Sequence, residues 1–133
     1  MVGYSLLKEV VDRLLDKQVG AIFQGCAEFG ARALGNRSII CDPRLPDGKD
    51  IVNSIKNREW YRPFAPVVRL EDVSKYFEWE EESKHMLYCP KVKKEWRKKL
   101  SSITHIDNTA RVQTVTREQN EWLYDLLTHF NKH

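Results

Sequence analysis

Arginine and lysine recur in this chain beside residues that bring a backbone close to a ligand or hold it rigid. The stretch "EFGARALGNRSI" at positions 28–39 sets Arg32 and Arg37 among Gly25, Gly30 and Gly35. Glycine permits positive φ and close backbone approach. Successive N–H groups in such a turn form an anion-binding nest, and arginine adds fork-shaped, charge-assisted hydrogen bonds. A second stretch, "IKNREWYRPFAP", holds Lys56, Arg58 and Arg62, with Arg62 between Tyr61 and a φ-fixing proline, Pro63. A third, "HIDNTARVQTV", separates His105, Arg111 and Gln113 by even intervals. If extended throughout, it presents all three on one face. The shared use of such groups is to hold a phosphate or carboxylate oxyanion.

Each feature also has a plain structural explanation. A glycine-rich loop after a strand is often only a tight turn. Isolated arginines are usually solvated, and surface ion pairs contribute ~0–1 kcal/mol. A lone histidine such as His105 is more often a satisfied structural residue than a ligand. Trp60, Trp79 and Trp96 read as core or half-buried anchors. The mixed-sign run at 78–99 reads as a solvated hairpin or helix pair. Neither GxxxxGK[ST] nor GxGxxG occurs in the chain, so the usual nucleotide loops do not explain the cations.

The elements that must position these residues follow from periodicity. Leu6, Leu7, Val10, Val11, Leu14 and Leu15 predict an amphipathic helix over 5–17 with Ser5 as N-cap. "GAIFQG" and "SIICD" predict strands on either side of the glycine loop. "PRLPDGKD" is turn chemistry. A helix is predicted over 50–59, extended chain through "WYRPFAP", a strand at "VVRL" and a short helix at "EDVSKYFE". "HMLYCP" and "ARVQTV" read as further strands, and 118–131 as a closing helix with Trp122, Leu123, Leu126, Leu127 and Phe130 inward. Interleaved helices and strands give an α/β (α+β) class.

Bulk properties bound the rest. A chain of 133 residues fits one domain with a real core. A net charge of +3 is too weak to argue for nucleic acid by itself. Cys26, Cys41 and Cys89 are odd in number and lack CxxC spacing, which disfavours a disulfide framework or structural zinc and fits a reducing cytoplasm. Lys8, Glu9, Asp12 and Arg13 interrupt the N-terminal segment, so it reads as neither a secretory leader nor a membrane span.

"FQGCAEFGARALGNRSIICDPR", "NSIKNREWYRPFAP" and "HIDNTARVQTV" resemble, in that order, three signatures of the C-terminal domain of the O-carbamoyltransferase family. That family includes the nodulation-factor and antibiotic carbamoyltransferases, such as the tobramycin enzyme. The likeness runs from about residue 6 to residue 130. It implies a YrdC-like fold, a twisted mixed sheet with flanking helices around a basic concave face. It also implies binding of carbamoyl phosphate and ATP, with Mg²⁺ expected alongside the nucleotide; the residues themselves suggest no all-protein metal site. The product implied is carbamoyl-adenylate. A separate Kae-like domain, which holds a histidine-bound metal, then moves the carbamoyl group to an acceptor hydroxyl. By motif, Arg32, Lys56, Arg62 and Arg111 fall on the catalytic phosphate and carbamoyl-phosphate contacts. Asn36, Arg37, Ser38, His105 and Gln113 fall on substrate or nucleotide contacts.

The chain departs from the family pattern in places. Ala31 replaces a proline, which frees the loop by ~0.4–1 kcal/mol through the unfolded state. Asn108 replaces a glycine, and asparagine tolerates the left-handed region best after glycine. The N-terminal transferase domain and a later Asn-Thr-Ser-Phe-Asn segment are not in the chain. The expectation is an incomplete domain working with a separate Kae-like chain, on small-molecule substrates and away from any membrane. Two alternatives stand beside it: a phosphate- or nucleotide-binding relic without turnover, and an RNA-binding module using Lys93, Lys94, Lys98 and Trp96.

Overall fold

The computed structural model describes residues 4–133. Its elements run α1 (Tyr4–Leu15), β1 (Gly20–Phe23), β2 (Arg37–Ile40), α2 (Gly48–Ile55), β3 (Val67–Arg69), a 3₁₀ turn (Leu70–Asp72), α3 (Val73–Tyr76), β4 (Gln113–Val115) and α4 (Glu121–Phe130). The mixed α and β class read from the sequence is borne out. The strands form two two-stranded sheets. β1 and β2 pair antiparallel, Gly20 opposite Ile40 and Phe23 opposite Arg37. β3 and β4 pair parallel, Val67 opposite Gln113 and Arg69 opposite Val115.

Helix α1 forms because Leu7, Val11 and Leu14 recur at helical spacing, and all three are buried. They pack with Ile22, Val115, Leu123 and Leu126, so the first core joins α1, β1, β4 and α4. The helix stops two residues short of the predicted end. Lys17 adopts φ 64°, its N–H donates to the Leu14 carbonyl, and Gln18 N–H donates to Arg13 O. This is a Schellman stop, made here without glycine. Ser5 lies inside the helix rather than capping it; residues 1–3 of the N-terminal segment lie outside the described residues.

The second core gathers Val68, Val73, Phe77, Val92, Ile103, Ala110 and Val112, with Trp79 and Trp96 packed against it. Those two tryptophans are half-buried anchors, as read. Trp60 is not: it is 75% exposed. "HMLYCP" is not a strand. Met86 turns to φ 56°, and Leu87, Tyr88 and Cys89 face solvent. The run 78–100 is instead tied by isolated bridges, Phe77 to Val92 and Lys91 to Thr109. Only Gln113–Val115 of "ARVQTV" is strand, and all of it is buried. Burial on both faces suits a parallel strand, and its polar side chains are satisfied: Thr114 Oγ1 accepts from Ser83 N–H, and Gln113 Nε2 donates to Leu34 O. Among the described residues no helix is long and apolar enough to cross a membrane.

Candidate functional site

The glycine loop between β1 and β2 is organised by an anion of its own. Glu28 Oε1 accepts from the backbone N–H of Leu34 and of Asn36, both at 2.8 Å, and of Arg37 at 3.3 Å. Burial acts to raise this carboxyl, but the backbone donors outweigh it and hold its pKa at about 2. The nest predicted from the glycines therefore forms, but over 34–37 its occupant is the chain's own carboxylate. Sequence reasoning missed Glu28; its place between Gly25 and Gly30, two residues before the latter, was the available signal. Gly35 closes the turn at φ 114°, its N–H on Ser38 Oγ at 2.9 Å.

Gln24, Asn36 and Asn120 lock this loop to α4. Gln24 Nε2 donates to Gly35 O and to Asn120 Oδ1. Asn36 Nδ2 donates to Cys26 O, and its Oδ1 accepts from Asn120 Nδ2. Asn120 also caps α4 by accepting from Leu123 N–H. Arg37 donates to the carbonyls of Gln24, Gly25 and Asn36, with its guanidinium 3.7 Å from the centre of the Phe23 ring. The structure thus places Asn36, Arg37, Ser38 and Gln113 in the frame of the loop. Arg32 is left exposed at its tip.

The second cationic stretch is aimed by another residue the sequence did not single out. Helix α2 ends on a Schellman stop at Asn57, φ 48°, with Arg58 N–H on Asn53 O and Asn57 N–H on Ser54 O. Lys56 is the C-cap. Asn53 is buried, and its Nδ2 donates to Trp60 O and Arg62 O, each at 3.1 Å. Its Oδ1 accepts from Arg58 Nε at 2.6 Å. One amide thereby folds 57–62 back over the end of α2.

In the third stretch the chain does not stay extended from 105. It turns at Asn108, φ 67°, with Asn108 N–H on His105 O and His105 N–H on Thr109 O. Alternation therefore does not set the relation of His105 to Arg111 and Gln113. Gln113 is held inside by Leu34 O, whereas His105 lies close enough to Arg111 for the two charges to interact.

Electrostatics join the three stretches. The Arg111 guanidinium is pushed down first by burial, then by repulsion from Arg32 and Arg58, with Cys89 acting the other way. Burial and then Arg58 push Lys56 down. Arg58 is lowered by burial and by Arg62, against a pull from Glu59. Arg32 and Arg58 thus lie near Arg111, and Lys56 and Arg62 near Arg58, which links the five into one cationic face. Among the described residues only Arg62 of these has an acidic partner, Glu59 at 2.8 Å, and both are exposed. Arg111 Nε is buried and unpartnered. Gathering like charges costs free energy in the empty fold, and a multivalent anion would return it.

Two sizeable clefts lie elsewhere. One of about 450 Å³ runs between α1 and β1, beside Trp122. Another of about 480 Å³ is walled by Tyr76, Trp96 and Phe130. Neither contains any cation of the shared face, so charge rather than cavity size locates the site. That face is open, and its segments also expose Phe29, Trp60, Tyr61 and Ile106. Trp96 packs edge-on against Tyr76, 4.8 Å between centroids, at the base of the 91–99 lysine run. Among the described residues no group of three or more His, Cys, Asp or Glu side chains could hold a metal ion.

Residues 11–133 match the family model described as carbamoyltransferase C-terminus. The chain is 46% identical over 113 residues to nodulation protein NolNO of Sinorhizobium fredii, covering 82% of this chain and 17% of that protein. It is 44% identical over 113 residues to the 3'-hydroxymethylcephem-O-carbamoyltransferase of Streptomyces clavuligerus, covering 85% and 21%. It is 36% identical over 126 residues to nodulation protein U of Azorhizobium caulinodans, covering 95% and 22%. The chain thus spans about a fifth of the length of the curated relatives it matches.

Proposed function

Because this chain belongs to the carbamoyltransferase C-terminus family, we propose that its cationic face binds carbamoyl phosphate and ATP and forms carbamoyl-adenylate. The single observation that carries the proposal is Arg111, whose guanidinium is repelled by both Arg32 and Arg58 and whose Nε is buried without a partner. A phosphate dianion relieves that repulsion and gives the nitrogen an acceptor.

Atom balance sets the sequence of events. Water releases inorganic phosphate from carbamoyl phosphate and leaves carbamate. A carbamate oxygen then attacks the α-phosphorus of ATP and expels pyrophosphate. Both steps move negative charge onto departing phosphate oxygens, and fixed guanidinium groups stabilise that charge without reorganising. Arg111, Arg32 and Arg58 take the phosphoryl oxygens. Lys56 and Arg62 neutralise the leaving group, Arg62 by exchanging Glu59 for substrate. Asn36, Ser38, Arg37 and Gln113 act by holding the loop that carries Arg32. Mg²⁺ would arrive on the nucleotide phosphates. Passage of the carbamoyl group to a hydroxyl acceptor falls to a separate Kae-like, metal-bearing unit.

The test is pyrophosphate release by the chain with ATP and carbamoyl phosphate, each also omitted in turn. Release that needs both substrates and disappears in Arg111→Ala supports the proposal. If the chain binds both compounds but releases nothing, it is a binding module without turnover. Absence of binding removes the function altogether.

A further inference from the structure

His105 carries a nitrogen that the fold leaves unused in an otherwise donor-rich place. Its Nδ1 lies 3.0 Å from Thr109 Oγ1. That hydroxyl in turn donates to Asp107 Oδ1 at 2.7 Å, and the Thr109 N–H donates to the same oxygen. Asp107 is held below the usual carboxylate range, chiefly by the Thr109 hydroxyl, so it is ionised and only accepts. The hydroxyl has one proton and gives it to Asp107. What it offers His105 is a lone pair, so Nδ1 must carry a proton. Burial lowers the His105 pKa; Asp107 pulls it back up and Arg111 pushes it down, and the net direction is down, which favours the neutral ring. Its Nε2 is then a bare acceptor, and it is buried with no hydrogen-bond partner.

A ligand that offered only phosphoryl oxygens would leave this lone pair unused, because those oxygens accept as it does. The fully ionised phosphoryl group of an acyl phosphate accepts only and has no proton to offer Nε2. The combination fits a ligand that carries an N–H donor a few bonds from its oxyanion. Resting on the proposal that this face takes carbamoyl phosphate, we propose that His105 Nε2 accepts a hydrogen bond from the carbamoyl amino group. This makes His105 a specificity-determining residue. Acetyl phosphate has the same charge and nearly the same shape, but presents a methyl group there and leaves the buried nitrogen unpaired. Sites built to pair with an N–H or O–H reject analogues lacking it strongly, for that reason.

The experiment is a titration calorimetry series with carbamoyl phosphate, acetyl phosphate and inorganic phosphate, on the wild-type chain and His105→Leu. The wild type should prefer carbamoyl over acetyl phosphate by about tenfold or more. His105→Leu should lose that preference and bind carbamoyl and acetyl phosphate equally. Nitrogen-15 NMR of the wild type supplies a readout independent of the variant's folding: Nδ1 protonated and Nε2 bare at pH 7.5, with the Nε2 resonance moving on addition of carbamoyl phosphate and not of acetyl phosphate. A protonated Nε2, or an undiminished preference in a folded His105→Leu, overturns the inference and leaves the broader function standing. If the wild type binds neither acyl phosphate, the broader function fails and this inference with it.

Discussion

Asn53→Ala is the substitution whose consequences follow most directly from the geometry. Asn53 is 2% exposed, and its amide makes three hydrogen bonds, two from Nδ2 to Trp60 O and Arg62 O and one from Arg58 Nε to Oδ1. A neutral bond contributes ~0.5–1.5 kcal/mol and one to a charged partner ~1.5–3 kcal/mol. Trp60 and Arg62 are exposed, so their carbonyls regain water when the amide is removed, which places the expected loss in the lower range. Asn53→Ala should therefore destabilise the chain by about 2–4 kcal/mol. Asn53→Asp keeps the acceptor for Arg58 but turns a carboxylate oxygen toward two carbonyls, and should cost at least as much. Urea unfolding followed by tryptophan fluorescence reads both, provided the slope is unchanged. Phosphate affinity, measured well below the unfolding midpoint, should fall about tenfold, because Arg58 and Arg62 lose their common anchor. An Asn53→Ala chain within ~0.5 kcal/mol of the wild type, with phosphate affinity intact, would refute the claim that this amide aims the second cationic stretch.

The loop glycines should separate cleanly. A Cβ at Gly35 would lie 2.7 Å from Leu123 Cδ2, whereas one at Gly30 meets nothing within 4 Å. Gly35→Ala should cost about 2–5 kcal/mol from strain plus overpacking, and Gly30→Ala about 1–3 kcal/mol from strain alone, read as denaturant midpoints. Glu28 is held below its usual 4.5, at about 2, so its contribution is complete above pH 4.5 and is lost as pH falls toward 2. Thermal melts should show the wild type losing stability across that window more steeply than Glu28→Gln; parallel curves count against the internal-anion account. Arg37→Met removes bonds to three carbonyls and the contact with Phe23. It should lower stability by about 1–2 kcal/mol, and direct NMR evidence of Arg37 binding phosphate would contradict its placement in the loop frame.

Much of the frame was legible because it is written in local pattern. The stripe Leu7, Val11, Leu14 announced α1, and the apolar positions of α4 announced the closing helix. The cationic stretches could be picked out because glycine, proline and arginine carry their physical use in their residue type. What was hidden depends on contacts across the chain. Glu28 and Asn53 look like ordinary surface residues until their partners are known, because a carboxylate or amide shows its role only by which backbone groups it meets. Arg58 belonged to the right stretch, but its share in the site comes from the Schellman turn at Asn57, a stop the sequence marks only by an asparagine. "HMLYCP" failed as a strand because apolar composition does not reveal that most of the segment faces solvent. Even spacing of His105 and Arg111 suggested a common face; they are near one another through the turn at Asn108 instead.

The account stands most directly on titration of carbamoyl phosphate into the wild type, Arg32→Ala, Arg111→Ala and, as a control outside the face, Arg117→Ala. Arg117 is exposed and already paired with Glu121 and Asp125. Saturable heat in the wild type, weakened about 10–100-fold in Arg32→Ala and in Arg111→Ala but unchanged in Arg117→Ala, is the predicted result. Equal affinity in all four chains, or no heat in the wild type, would contradict a single anion held between the separate cationic stretches.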